Sequence, residues 1–179
     1  MNYISYYDSP LGKIMLTSDG QAITGVRFEK RTAFEADPDK NRIKKETPVF
    51  IEAKIWMDIY FAGRNPGKIP LLRLDGTEFR KKVWKILLTI PYGRTVTYGE
   101  IAAAIMKETG QKKMSAQAIG GAVGHNPVPL FCPCHRVVGA GGNLTGYAGG
   151  IDRKQALLAL ENIDMTAFFI PKKKHRISE

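Results

Sequence analysis

Both cysteines of this 179-residue chain, a histidine and an arginine lie within five consecutive positions, in the segment NPVPLFCPCHRVVG (126–139). A free thiol has a pKa of about 8.5, so a cysteine nucleophile needs a neighbouring base or a positive field to form a thiolate at neutral pH. His135 and Arg136 follow Cys134 directly and could supply these, while the flanking prolines restrict the backbone. The segment therefore indicates a cysteine nucleophile.

Metal binding, redox chemistry and simple packing are the alternative interpretations of this segment. Structural zinc usually takes about four ligands in two spaced pairs, and here His125 and His175 would have to be recruited. The C-x-C spacing also differs from the C-x-x-C of redox sites. We expect no metal, and for Cys132 we favour a buried apolar filler over a second acceptor. Cys134 as a nucleophile and Cys134 as a buried structural residue both remain open at this point.

The charge balance bears on the partner. The chain has 27 Lys and Arg against 17 Asp and Glu, which gives a net charge of +10. Such an excess favours a polyanion, with nucleic acid ahead of a membrane surface, although an indifferent basic surface is the alternative. No apolar run approaches the roughly 20 residues of a membrane span, and the first residues have no signal-peptide layout. With only two cysteines, we expect a cytoplasmic protein, nucleoid-associated if bacterial.

The first 75 residues predict a small β-rich unit followed by a helix. Three β-rich runs separated by turn signals predict an antiparallel meander: residues 2–8, 12–18 and 21–28. The polar stretch 29–47 is interpreted as a surface excursion. Residues 48–62 begin with proline and predict an amphipathic helix. The Pro- and Gly-rich segment 63–76 is interpreted as a linker or extended crossover that contains the domain boundary.

The second half predicts short helices. One helix over 76–90 has its apolar stripe at Phe79, Val83, Trp84 and Leu87. Capping boxes predict two more helix starts, one at Thr97 with Glu100 and one at Asp152 with Gln155, the latter ending the ordered core. Ser115 is the expected cap of a further helix, SAQAIGGAVGHN. The helix that begins at Thr97 and the helix capped by Ser115 are joined by a long polar connector. Together they suggest a helix-turn-helix.

Three glycines stand out in that small-residue helix. Gly120, Gly121 and Gly124 each weaken a helix interior by up to about 1 kcal/mol relative to alanine. Their presence indicates close backbone approach, either by a neighbouring element of the same chain or by nucleic acid.

The segment HNPVPLFCPCHRVVGAGGNLTGYAGGIDRKQALLALE resembles the active-site region of the O6-alkylguanine-DNA alkyltransferases. The resemblance extends back through FRKKVWKILLTIPYGRTVTYGEIA and covers residues 77–161. It implies an α+β fold, with a small N-terminal antiparallel-sheet domain of ribonuclease-H-like type over residues 1–75. A helical winged-helix or helix-turn-helix domain over 76–170 follows, and a basic tail occupies 171–179.

The resemblance also implies the activity. Members of this family repair DNA by direct reversal, moving the methyl or other alkyl group from O6-alkylguanine in duplex DNA to their own cysteine, here Cys134. O4-alkylthymine is a second candidate substrate. The base is first flipped out of the helix, and the resulting thioether has no easy leaving group, so each molecule reacts once. We expect a monomer without cofactors.

The family's functional residues fall on named positions of this chain. His135 would act as the base through a water, Glu161 would hold its imidazole, and Asn126 would brace the turn that carries Cys134. Tyr98 would hydrogen-bond the flipped nucleobase and help to protonate the leaving guanine at N3. The structural alternatives are a simple turn former for Asn126 and a helix-start aromatic residue for Tyr98.

Substrate and DNA contacts are implied in the same way. The residues expected to contact the flipped base, besides Tyr98 and the backbone of Cys134, are Pro129, Val137, Tyr147, Ala148 and Gly149. The residues expected to contact DNA, most of them on a recognition helix in the minor groove, are Ser115, Gln117, Ala118, Gly121 and Arg136. Gln117 departs from the family pattern, in which many members have an arginine that fills the gap left by the flipped base.

Two other classes of protein compete with this interpretation. Some relatives bind alkylated DNA without an acceptor cysteine, and Cys134 argues against that class. A winged-helix regulator would also be basic and helical, but it has no use for the Pro-Cys-His-Arg sequence.

Overall fold

The computed structural model describes residues 2–28 and 41–171 of the chain. Its N-terminal sheet is an antiparallel meander of β1 (Tyr3–Ser9), β2 (Gly12–Ser18) and β3 (Ile23–Phe28), as the spacing of turn signals predicted. A fourth strand, β4 (Ile43–Lys44), pairs parallel with β1 and gives the order β3-β2-β1-β4. Residues 43 and 44 of the expected surface excursion over 29–47 thus join the sheet while remaining exposed, and residues 29–40 lie outside the described part.

Helix α1 (Pro48–Phe61) packs against this sheet, with proline in its first turn. Its inward positions recur at spacings of three and four, as expected for one helix face. The buried members are Val49, Phe50, Ala53, Trp56, Met57 and Tyr60. The opposite face is only partly polar, because Ile51 and Ile55 are more than half exposed.

The Pro- and Gly-rich segment after α1 is an ordered crossover. It runs beside the start of β3, where the Ile23 N–H donates to the Leu71 carbonyl (2.8 Å) and the Arg73 N–H donates to the Ile23 carbonyl (2.9 Å). One cluster of buried side chains continues from the sheet through α1 into the helical half. The two halves therefore share one hydrophobic core.

The helical half contains α2 (Glu78–Leu88), α3 (Tyr98–Thr109), α4 (Ala116–Gly124) and α5 (Ile151–Leu160), with a two-stranded parallel sheet of β5 (Val96–Thr97) and β6 (Val137–Val138). The predicted caps at Thr97 and Ser115 are confirmed. Helix α3 ends at Thr109, because Gly110 follows as its C-cap with a left-handed φ of 71°. The Trp84 indole N–H donates to the Ala122 carbonyl at 2.9 Å and joins α2 to α4. The α+β class is confirmed.

The start of α5 differs from the prediction. Its N-cap is Gly150, with φ 92°, so Asp152 lies inside the first turn and does not cap the helix. The ordered chain also continues past α5, because the Leu144 N–H donates to the Phe169 carbonyl at 2.9 Å. Within the residues that the structure describes, no helix is both long and apolar enough to cross a membrane.

Candidate active site

A tightly braced turn carries Cys134. The Asn126 side-chain amide donates to the Cys132 carbonyl at 2.7 Å, and its oxygen accepts from the Val128 N–H at 3.1 Å. The Cys134 N–H donates back to the Cys132 carbonyl at 2.8 Å across Pro133, whose φ of −81° and ψ of 64° form an inverse γ-turn. The structure thus places Asn126 where the family pattern implied, and the 3₁₀ turn Cys134–Arg136 begins at a fixed point.

Cys134 is 4% exposed. Burial raises the pKa of its thiol to about 11, against a hydrogen bond from Asn126 and the charge of Lys154, which both lower the pKa. The thiol is therefore protonated at neutral pH. A nucleophilic thiolate can form only if a base takes the proton during the reaction.

His135 is a suitable base. Its ring is fully buried, and Nε2 lies 2.7 Å from Glu161 Oε1. An ionised carboxylate accepts only, so Nε2 carries the proton and Nδ1 keeps a lone pair. Nδ1 is buried without a hydrogen-bond partner among the described residues. Burial, with the charges of Arg136 and Lys154, lowers the pKa of His135 more than Glu161 raises it, so the imidazole is neutral at pH 7 and able to accept a proton.

Glu161 lies at the C-terminal end of α5 and is buried with both oxygens engaged. Oε2 accepts from Arg136 Nε at 2.9 Å and from the Gly93 N–H at 3.0 Å. Oε1 accepts from the Tyr60 hydroxyl at 2.7 Å. Burial alone would raise the pKa of Glu161, but the hydrogen bonds and charges of His135 and Arg136 together lower it to about 2. The carboxylate is therefore ionised at any working pH.

Arg136 was expected to contact DNA, and the structure contradicts that expectation. The residue is 7% exposed, and its guanidinium points inward, with Nη1 donating to the Ile90 carbonyl at 2.7 Å and Nε to Glu161. A buried carboxylate is stable only with a paired counter-charge. Arg136 serves that need.

Lys154 is a residue of the site that the sequence analysis missed. Its ammonium group is buried and donates to the carbonyls of Val137 (2.6 Å) and Thr145 (2.7 Å). Burial lowers its pKa to about 8, so the group is mostly charged at neutral pH. A lysine on the same helical face as Leu157 and Leu158 was the available signal, because such a position is normally apolar.

Two of the residues expected to line a substrate pocket, Tyr98 and Tyr147, lie close enough to Cys134 to interact with it electrostatically. The Tyr98 hydroxyl donates to the Thr145 carbonyl at 3.3 Å, and burial and then Cys134 raise its pKa. The Tyr147 ring meets the His135 ring edge-on at 6.5 Å between centroids. Of the remaining expected residues, Val137 is buried, Pro129 and Gly149 are half-buried, and Ala148 is exposed.

Helix α4 presents an open surface. All four residues expected to contact DNA from this helix are exposed: Ser115, Gln117, Ala118 and Gly121. A Cβ added at Gly121 or Gly124 would meet no atom of the described residues within 4 Å, and one at Gly120 would only touch Tyr98 at 4.0 Å. Packing against the described residues does not require glycine at 121 and 124. This observation favours close approach of an external partner.

Cys132 is buried with its sulfur 3.9 Å from the Trp84 carbonyl, and burial raises its pKa well above the ordinary value. It therefore behaves as a packing residue. Within residues 2–28 and 41–171, no three His, Cys, Asp or Glu side chains are grouped to hold a metal ion.

Fold and site together define a class of protein. Its members combine a buried cysteine that has a neighbouring base with a helical unit in which a helix of small residues is exposed. The chain belongs to the 6-O-methylguanine DNA methyltransferase family. The family's ribonuclease-like domain matches residues 2–75, and its DNA binding domain matches residues 78–163. The resemblance inferred from the Pro-Cys-His-Arg segment is thus confirmed, as is the enzyme class, methylated-DNA–protein-cysteine methyltransferase.

Relatives support this assignment over nearly the whole chain. The methylated-DNA–protein-cysteine methyltransferase of Mycobacterium bovis is 43% identical over 165 residues, which cover 90% of this chain and 95% of that protein. The solved structure of Mycobacterium tuberculosis O6-methylguanine methyltransferase matches with a TM-score of 0.77 at 43% identity, covering 90% of this chain and 93% of that one. A structure of the Mycobacterium tuberculosis protein in complex with DNA matches with a TM-score of 0.76 at 40% identity, covering 93% and 94%.

Proposed function

We propose that this chain repairs DNA by moving the alkyl group of O6-alkylguanine in duplex DNA to its own Cys134, once per molecule. One observation carries the assignment of the acceptor. A neutral buried thiol precedes a neutral imidazole that is tied through Nε2 to an ionised carboxylate and keeps Nδ1 free. This is the arrangement of nucleophile, base and orienting group that covalent catalysis requires.

In the proposed step, the Cys134 thiol proton passes through a water to His135 Nδ1 while sulfur attacks the alkyl carbon in line with its bond to O6. The carbon–sulfur bond forms as the carbon–oxygen bond breaks, and the electron pair of the broken bond stays on the guanine. Tyr98 donates a proton to the leaving guanine at N3, so the base departs neutral, and the proton taken up by His135 then returns through solvent to the Tyr98 phenolate. The product thioether has no easy leaving group, and its sulfur carries no proton that His135 could remove for a second reaction. The protein is therefore consumed.

Base flipping follows from the burial of the thiol. Guanine O6 lies on the base edge in the major groove, and a cysteine residue that is only 4% exposed cannot bring its sulfur to that edge while the base stays paired in the duplex. Extrusion of the nucleotide costs a few kcal/mol, less for a mispairing damaged base. We propose that Pro129, Val137 and the loop Tyr147–Gly149 enclose the flipped base, and that α4 lies in the minor groove, supported by its open glycines. The DNA-bound relative supports DNA as the partner.

The site is completed within one chain, which supports action as a monomer. Two free cysteines fit a reducing compartment, so we propose a cytoplasmic, and in a bacterium nucleoid-associated, protein. O4-alkylthymine is proposed as a second substrate. Intact mass after incubation with an O6-methylguanine oligonucleotide tests the proposal. A gain of one methyl group per molecule supports it, whereas DNA binding without mass gain would indicate a non-transferring binder or a regulator.

We predict that binding to undamaged duplex DNA is weak, indifferent to sequence and sensitive to salt. Each neutralised phosphate releases counterions, so the logarithm of affinity falls with the logarithm of salt concentration. Lys112 and Lys113 are exposed in the connector before α4. Replacing each with glutamine should lower the salt slope by about one, as measured by fluorescence anisotropy of a labelled duplex.

Lys68 is the control, because it is also exposed but belongs to the crossover segment and not to the connector before α4. Lys68→Gln should leave the salt slope unchanged. A flat salt response of the unmodified protein would show that its positive charge faces away from DNA.

We predict that Gln117 enters the base stack and stabilises the extruded state less than an arginine would. Its side chain is exposed at the second position of α4. An arginine adds a planar cation drawn to the phosphates, whereas glutamine only fills the gap and hydrogen-bonds. Gln117→Arg should therefore speed transfer from duplex DNA, and Gln117→Ala should slow it, in single-turnover rate measurements.

Free O6-benzylguanine provides the control for these variants, because a free base needs no flipping. Both variants should react with it at the unmodified rate. If Gln117→Ala leaves the duplex rate unchanged, another residue fills the gap and the assigned position of α4 on DNA is wrong.

A further inference from the structure

Tyr60 belongs to α1, in the N-terminal half, yet its hydroxyl lies inside the site of the helical half. The residue is fully buried, its hydroxyl donates to Glu161 Oε1 at 2.7 Å, and its oxygen lies 3.3 Å from His135 Nε2. Glu161 lies 101 positions further along the chain. The three polar groups therefore form a triangle that joins the two halves.

Hydrogen-bond bookkeeping fixes the protons in this triangle. A phenol has one proton, and Tyr60 gives it to Oε1, so only lone pairs of its oxygen face His135. Nε2 then faces two acceptors and must carry its own proton. Tyr60 and Glu161 together hold His135 in the tautomer that leaves Nδ1 free.

Packing holds the phenol in place. Its ring stacks on Trp56 at 5.1 Å and meets Phe61 and Tyr92 edge-on at 5.4 and 6.0 Å. Burial and the nearby Glu161 raise the pKa of Tyr60, so the hydroxyl stays a donor at every working pH. A rigid ring and a permanent donor are the properties needed to orient a carboxylate.

We propose that Tyr60 is a positioning residue for alkyl transfer: it aligns Glu161 with His135 and draws part of the carboxylate's charge away from the imidazole. The inference rests on the proposed role of His135 as the base. It also gives the N-terminal half a direct part in the chemistry, beyond support of the fold.

The charges around His135 determine the sign of the expected effect. Glu161 favours the imidazolium, whereas burial, Arg136 and Lys154 disfavour it. Cys134 precedes the imidazole in the chain, and the neutral ring of Tyr147 packs against it. Removing the Tyr60 hydroxyl leaves more negative charge on Glu161 and changes none of the other groups. The pKa of His135 should rise, and the base should be lost at a higher pH.

The test is the pH dependence of the single-turnover rate of the full chain with free O6-benzylguanine, which excludes effects on DNA binding. Tyr60→Phe should lower the rate at neutral pH on the order of tenfold, as expected for loss of one hydrogen bond to a charged group. The midpoint of the acidic limb should move to higher pH. A purely structural role would lower the rate or the stability without moving this midpoint.

Tyr7→Phe is the matched control. Tyr7 also donates its phenol proton to a carboxylate of α1, Asp58 Oδ1 at 2.8 Å, but outside the site. Its removal should leave both the rate and the acidic limb unchanged. Urea unfolding of both variants measures the stability cost of each lost hydrogen bond.

A second substitution keeps the hydroxyl and so does not depend on how the phenylalanine variant folds. Fluorotyrosine at position 60 is a stronger acid and a stronger donor to Glu161, so it should move the acidic limb to lower pH, opposite to Tyr60→Phe. Limbs that do not move in opposite directions would overturn the inference. Absence of alkyl transfer from O6-methylguanine DNA to the unmodified protein would instead overturn the proposed function.

Discussion

Cys134→Ala is expected to abolish alkyl transfer and to leave the affinity for methylated duplex DNA intact. The reaction needs a thiol beside a base, and Cys134 alone is braced next to His135 by the Asn126 turn. The substitution removes one buried sulfur. It removes no side-chain hydrogen bond that supports the exposed surface of α4. Intact mass and peptide mapping after incubation with an O6-methylguanine duplex measure the first effect, and anisotropy measures the second.

Cys132→Ala is the matched control, because it removes the same atom two residues away. Its sulfur lies toward the Trp84 carbonyl, in the core. We expect this variant to accept one methyl group at close to the unmodified rate and to lose some stability. A methyl group mapped to Cys132 in the unmodified protein would show that the assignment of the acceptor to Cys134 is wrong.

Glu161→Gln is expected to slow transfer on the order of a hundredfold, which lies at the low end of what general-base catalysis contributes. The amide keeps the shape of the carboxylate but removes the charge that supports an imidazolium at His135. The substitution also leaves the buried Arg136 without its counter-charge, which typically costs about 3–5 kcal/mol of stability. Rates must therefore be measured where urea unfolding shows the variant to be folded.

Glu52→Gln controls for loss of a negative charge, because Glu52 is exposed on α1 and should change neither rate nor stability. Duplex affinity of Glu161→Gln should fall much less than its rate. An equal loss in rate and affinity would mean that Glu161 only maintains the fold.

The sequence predicted those features that have a local cause. Strand spacing, the proline at the start of α1 and the caps at Thr97 and Ser115 depend on neighbouring residues, and each appears in the structure as expected. The pairing of His135 with Glu161 spans 26 positions, and only the family resemblance pointed to it. Local chemistry gave the thiol and the adjacent imidazole, but not the carboxylate.

The missed features depend on contacts that no local pattern encodes. A tyrosine on an apolar helix face, such as Tyr60, looks like any core aromatic until the partner of its hydroxyl is known. Arg136 was assigned to the DNA contacts that the resemblance implied, whereas its pairing with the buried Glu161 holds it inside. The strand β4 has two residues, too few to show an alternation.

Glu161 is contacted by the N-terminal helix through Tyr60, by the loop at Gly93 and by the turn of His135 and Arg136. Because the chain is synthesised from its N-terminus, the contacts of Glu161 can form only after the residues before it have been made. A nascent chain that has been made only as far as the thiol and imidazole still lacks the carboxylate, which comes 26 positions after His135, and an undocked N-terminal half withholds the phenol. Assembly of the charged network thus follows docking of both halves, and a partly made or misfolded molecule has the thiol without the groups that the proposed transfer uses.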